Sequence, residues 1–201
     1  MTAPRPSTRR SAHPAEAMLL TPGAGSAASH SSLVALEEAL APLPVARVDF
    51  PYRREGRKAP DRAPKLVACI REEAAALAAR TGAAPERIVL GGRSMGGRMC
   101  SLAVAEGLPA AGLVLVSYPL HPPGRPEQLR TAHFPQLHVP CLFVSGDRDT
   151  FGRPEELAAH LDTIPGRVTH VVVPKAGHDL KGRDLVIVDA VRTWLHDEGL
   201  G

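Results

Sequence analysis

Gly91-Gly92-Arg93-Ser94-Met95-Gly96-Gly97-Arg98 lies between the strand-forming run Arg87-Ile88-Val89-Leu90 and the helix-forming stretch Met99-Cys100-Ser101-Leu102-Ala103-Val104-Ala105. Its centre, Gly92-Arg93-Ser94-Met95-Gly96, fits G-x-S-x-G at a strand-to-helix junction, the setting that a nucleophile elbow requires. A turn this tight drives the side chains two before and two after the serine into neighbouring backbone. Glycine at both places removes the collision and lets Ser94 sit strained and exposed at the sheet edge. The bland alternative is a plain Gly-rich turn. The preceding strand, the following helix and four glycines weigh against it.

Strand-like and helix-like segments alternate outward from this stretch. Ala17-Met18-Leu19-Leu20 reads as a short strand running into Thr21-Pro22-Gly23-Ala24-Gly25. Leu33, Leu36 and Leu40 follow at helical spacing, with serines upstream to cap. Val45-Ala46-Arg47-Val48-Asp49-Phe50 reads as a strand stopped by Pro51, and a charged, Pro-rich loop runs from Tyr52 to Pro64. Pro64 opens a helix with Leu66, Ile70, Ala74 and Leu77 on one face and Gly82 at its end. Residues 112–118 form an apolar run suited to a strand covered on both faces. Residues 141–145 and 168–173 supply two more strands, with a helix started by Pro154, Glu155 and Glu156 between them. Leu185, Val188, Val191 and Trp194 mark a final helix. The alternation predicts one α/β domain, a three-layer sandwich with a mostly parallel central sheet and reactive groups at the carboxyl ends of its strands. That domain is expected over residues 16–199, after a flexible Pro-, Ser-, Thr- and Arg-rich N-terminal tail over residues 1–15.

Composition bounds the function. The 201 residues suffice for one well-cored domain, 44% of them are hydrophobic, and with only 3% aromatics the core must be built from Leu, Val and Ala. A formal charge of +3, with arginines scattered among acids, gives no nucleic-acid footprint. Three cysteines (Cys69, Cys100 and Cys141) in apolar segments without paired spacing argue for buried thiols in a reducing compartment. No apolar run approaches the roughly 20 residues of a membrane span. The basic start (Arg5, Arg9, Arg10) is followed by an apolar stretch too short for a signal peptide, so a cytoplasmic location is expected.

A serine hydroxyl needs a base within hydrogen-bond reach and an acid to orient that base. The chain order expected of this elbow is Ser, then Asp or Glu, then His. Leu142-Phe143-Val144 runs into Ser145-Gly146-Asp147-Arg148-Asp149, and Val171-Val172-Val173 runs into Pro174-Lys175-Ala176-Gly177-His178. Both polar residues therefore fall just past strand ends, on the edge that carries Ser94. Asp149 is favoured as the acid because it is deep enough in its loop to turn toward His178. Asp147 competes, and could instead cap the loop or pair with Arg148. His178 stands out from the other eight histidines, most of which read as exposed loop residues; among them His121, leaving a strand on the same edge, is a candidate for substrate contact.

An oxyanion needs two preset N–H donors. The amide of Met95 is one, and Pro22-Gly23-Ala24-Gly25 offers the other, with Ala24 as the chosen donor. Reading that turn as a dinucleotide loop fails for want of G-x-G-x-x-G spacing and a placed acid. No H-E-x-x-H or C-x-x-C occurs, so neither a metal nor a cofactor is expected, and Met18, Met95 and Met99 read as packing residues.

With these residues placed, the chain resembles a small, lidless α/β-hydrolase. The stretches Leu20-Thr21-Pro22-Gly23-Ala24-Gly25, Phe50-Pro51-Tyr52, 91–98, 118–124, 146–152 and Ala176-Gly177-His178-Asp179 are similar to the Tex30/KANL3-type branch, close to dienelactone-hydrolase-like proteins. The resemblance implies Ser94 as nucleophile, Met95 and the Gly23–Gly25 loop as oxyanion hole, Asp149 as acid and His178 as base. Pro22 stands where such proteins often carry a histidine, which implies altered loop support with the donors intact. The two leading antiparallel strands of larger hydrolases are not expected, for want of room before Ala17. Dienelactone hydrolases use cysteine, so Ser94 points to ordinary esters.

The leading expectation is thus a serine hydrolase acting on a small-molecule acyl substrate: an ester, thioester or lactone, cleaved by an acyl-enzyme route. Residues 121–140 are too few for a helical lid, which favours small acyl groups. A hydrolase-fold interaction module without useful catalysis is the second reading, with the Pro- and Arg-rich segments 51–64 and 121–140 as its contact surfaces. A peptidase or other acyltransferase with the same three residues is the third.

Overall fold

The computed structural model describes residues 13–201. The expected tail falls mostly on residues 1–12, outside the described residues; at its far edge the Ala15 N–H donates to Leu200 O at 2.9 Å. Six strands form one sheet: β1 (Ala17–Thr21), β2 (Val45–Arg47), β3 (Ile88–Arg93), β4 (Gly112–Val116), β5 (Cys141–Gly146) and β6 (Val168–Val173). Their order is β2-β1-β3-β4-β5-β6, and every neighbouring pair is parallel. The helices are α1 (Ser31–Ala39), α2 (Pro51–Arg54), α3 (Ala63–Thr81), α4 (Met95–Ala105), α5 (Pro154–Leu161) and α6 (Asp184–Asp197).

The period-2 alternation of the buried strands decides the layers. Leu19, Leu90, Leu113, Leu115 and Phe143 face a core built with α3, α4 and α5. Met18, Leu20, Val89, Val114, Val116 and Val144 face the opposite way, toward α1 and α6. Helices on both faces of a parallel sheet make the expected three-layer sandwich, with the sheet parallel throughout. Between the ends of β4 and β5 only a single 3-10 turn (Phe134–Gln136) forms, and no helical lid is present among the described residues.

The connection from β1 runs one way across the sheet to β2, and the connection from β3 runs the other way to β4. The loops leaving β1 and β3 therefore diverge and open a crevice at their carboxyl ends, the switch point where ligands of such sheets sit.

Three local expectations are corrected. The second strand stops at Arg47, because Pro51 opens the short helix α2 and Phe50 is its extended N-terminal neighbour. The cap of α1 is His30, whose ring accepts from Ser32 N, while Ser31 and Ser32 lie inside the helix. Leu185 in α6 is 77% exposed, and Ile187 takes the buried position.

Candidate functional site

Ser94 sits between β3 and α4 with φ +47° and ψ −117°, a strained conformation for a residue with a side chain. The glycines around it are there for space. A Cβ on Gly92 would lie 2.3 Å from Thr21 O, and one on Gly96 would lie 2.5 Å from Pro22 O. The elbow is thereby wedged against the end of β1, and Gly23 packs directly beside the Ser94 side chain. Met95 is the first residue of α4, so its N–H has no acceptor within the helix.

His178 and Asp149 reach Ser94 from the loops after β6 and β5. Ser94 Oγ lies 2.8 Å from His178 Nε2. His178 Nδ1 lies 2.9 and 2.8 Å from the two carboxylate oxygens of Asp149. Asp149 is 1% exposed and also accepts the Phe151 N–H at 2.8 Å. An ionised carboxylate can only accept, so Nδ1 carries the shared proton and the bare Nε2 accepts from the Ser94 hydroxyl. Asp147 is elsewhere: its Oδ1 accepts the Ala176 N–H at 3.0 Å and ties the two loops together. Backbone donors at Lys175 and Ala176 hold its carboxyl below the usual range.

Ala24, the other expected donor, lines the same pocket as Ser94 and Met95. Its carbonyl accepts the Tyr52 hydroxyl at 2.8 Å, and the Ser26 N–H closes the turn onto Gly23 O at 3.2 Å. His121 does not line this pocket. Its Nδ1 lies 2.8 Å from Pro122 O and its Nε2 3.9 Å from Glu156, behind the Phe151 backbone it bonds to.

Sequence reasoning missed four contributors. Phe151 stacks on the His178 ring at 4.0 Å between centroids, covering one face of the imidazole. Arg93, 5% exposed, donates to Asp179 O at 2.8 Å and His178 O at 3.3 Å, and its guanidinium also contacts the His30 ring. It binds the serine-bearing strand to the histidine-bearing loop. Burial lowers the pKa of its guanidinium. Arg98 and Arg130 line the pocket wall. Phe151 lies in one of the quoted family-like stretches, but its stacking partner is distant in sequence; nothing in the spacing of the arginines marks them.

The pocket in front of Ser94 has a volume of about 290 Å³, with Leu66, Met99 and Phe151 giving it an apolar side. A larger hollow of about 470 Å³ opens between α5 and β6, away from Ser94. No group of three or more metal-ligating side chains occurs among the described residues. Cys69, Cys100 and Cys141 are free and buried, and burial pushes the Cys100 and Cys141 thiols up to about 12. Among the described residues no helix is long and apolar enough to cross a membrane.

The chain is similar in fold to several solved structures. Est1E from Butyrivibrio proteoclasticus superposes with a TM-score of 0.74 at 16% identity, over 94% of this chain and 90% of that one. A serine hydrolase without lid from Xanthomonas campestris gives 0.70 at 18% identity, over 92% and 84%. Dienelactone hydrolase from Anabaena variabilis gives 0.69 at 18% identity, over 92% and 88%. The family model described as an alpha/beta hydrolase domain matches residues 14–190. The chain belongs to the α/β-hydrolase domain family, and the enzyme class that goes with it is hydrolase.

Proposed function

We propose that the protein is a serine hydrolase that cleaves a small ester, thioester or lactone through an acyl-enzyme, with Ser94 as nucleophile, His178 as base and Asp149 as orienting acid. The observation that carries this reading is the unbroken series of contacts from Asp149 through His178 to Ser94 at 2.8–2.9 Å. In the reaction, Ser94 Oγ bonds the substrate carbonyl carbon as its proton passes to His178 Nε2, and the carbonyl electron pair moves onto oxygen. The N–H groups of Met95 and Ala24 receive that oxyanion. Collapse expels the alcohol or thiol, which takes the proton from the imidazolium. Water then attacks the acyl-enzyme by the same route, losing its proton to Nε2 and freeing Ser94.

Residues 16–199 form the domain that carries this chemistry. The matching stretches between Leu20 and Asp179 favour the Tex30/KANL3-type branch, and three buried free thiols favour a cytoplasmic setting. The test is hydrolysis of short p-nitrophenyl esters by wild type and Ser94→Ala. The expected result is measurable wild-type turnover and a loss on the order of 10³ or more in kcat/KM for the variant. Equal rates for the two proteins would contradict the assignment.

A further inference from the structure

Arg98 lies one helical turn after Ser94 on α4, roughly 6 Å along the helix axis, and faces the same pocket. Arg130 enters that pocket from the segment after β4, and its backbone is fixed on both sides. The Arg130 N–H donates to Leu120 O at 2.8 Å, and its carbonyl accepts the Tyr118 hydroxyl at 2.6 Å. The side chain itself reaches Pro119 O at 3.4 Å.

Neither guanidinium has a carboxylate within 4.0 Å among the described residues, whereas Arg47, Arg54, Arg57 and Arg87 all do. Arg98 Nε is buried without a hydrogen-bond partner. Burial, and then repulsion from Arg98, lowers the Arg130 guanidinium. Asp61 is the acid on the pocket wall; its Oδ1 is engaged by Arg57 at 2.9 Å and Lys65 at 3.4 Å, while its Oδ2 is buried without a partner and leaves the two arginines to outweigh it. Two partly buried cations with no acid partner among the described residues, one with its Nε unpartnered and the other held only by a 3.4 Å contact to a carbonyl, are costly for a protein to keep, and a bound anion offsets that cost.

We infer that this pocket takes a substrate carrying a second, anionic oxygen group, a carboxylate or a phosphate, which Arg98 and Arg130 hold a short chain away from the carbonyl attacked by Ser94. This rests on the serine-hydrolase reading of Ser94. Paired guanidiniums suit either group, since each accepts forked N–H donors.

The test is calorimetry on Ser94→Ala protein at low ionic strength, with monomethyl succinate, 2-acetoxyethyl phosphate and the neutral dimethyl succinate as probes. At least one anionic probe is expected to bind about ten- to a hundredfold more tightly than the neutral diester. The tighter of the two anions names the group. Arg98→Gln and Arg130→Gln are each expected to lose most of that preference, and Arg130→Lys to keep part of it. Equal binding of the three probes, a preference that survives both glutamine substitutions, or no binding of either anion overturns the inference. A fluorophosphonate that labels wild-type Ser94 while calorimetry shows no anion preference leaves the hydrolase reading standing alone. Arginine-dependent anion binding without labelling sinks the hydrolase reading and leaves the anion site.

Discussion

Asp147 and Asp149 stand two residues apart and serve different ends. Asp149 is almost wholly buried with both oxygens on His178, while Asp147 holds loop backbone. Asp149→Asn leaves the shape intact but presents an amide to Nδ1, favouring the wrong imidazole tautomer. Its kcat is expected to fall on the order of 10³–10⁴, against less than tenfold for Asp147→Asn, both measured by ester turnover. Equal losses would contradict the division of roles. Arg93 acts through the backbone of His178. Arg93→Met leaves two carbonyls without their donor, so a stability loss of about 2 kcal/mol or more is expected in denaturant titration. As a positioning residue it should also lower kcat more than it raises KM, a split that a purely structural role would not give. The convergence of Ser94, Asp149 and His178 was legible from chain order and strand-end placement. The Arg93 contacts were not, because their partners lie 85 and 86 residues away and no local pattern announces them.

The elbow is the element whose geometry is most tightly dictated. A methyl group on Gly96 meets backbone oxygens of both Thr21 and Pro22 within 2.6 Å, and neither can retreat without moving β1. Gly96→Ala is expected to destabilise by about 3 kcal/mol or more, read as a lower midpoint in urea. Gly25→Ala meets nothing within 4 Å and should leave the midpoint unchanged. That contrast separates the glycines that make space from the one that merely sits in a turn. The sequence also foretold most strand and helix positions, because buried parallel strands read as continuous apolar runs. It misled at β2, where Val48 continues the apolar pattern and even bonds to Leu20 O at 3.0 Å, yet Pro51 sets the chain into a helix. It misled again at Leu185, where helical spacing alone cannot say which turn lies over the sheet.

Across the whole molecule, half-buried histidines that favour the neutral form shape the response to acid. Burial, with help from the Arg98 charge, lowers His133 from its ordinary 6.5 to about 4, and burial lowers His30 and His170 as well. The unfolded chain therefore binds more protons than the folded one as pH falls below about 6.5. Stability should drop through that window down to the folded pKa, with about 2 kcal/mol from His133 after allowing for partial solvent screening. Urea titrations at neutral pH and near pH 4.5 measure this, and His133→Gln, which keeps a polar partner for Ser101, should flatten the slope. With no helical lid among the described residues, the switch-point crevice leaves the strands' carboxyl ends in the open, so turnover is expected to fall as acyl chains lengthen. The central claim, a Ser94 hydroxyl activated by His178, is tested most directly by fluorophosphonate labelling with peptide mapping by mass spectrometry. The expected result is one label per chain, on Ser94, in wild type and its near-complete loss in His178→Ala. Labelling elsewhere, or wild-type protein that resists a reagent which labels a control hydrolase, contradicts it.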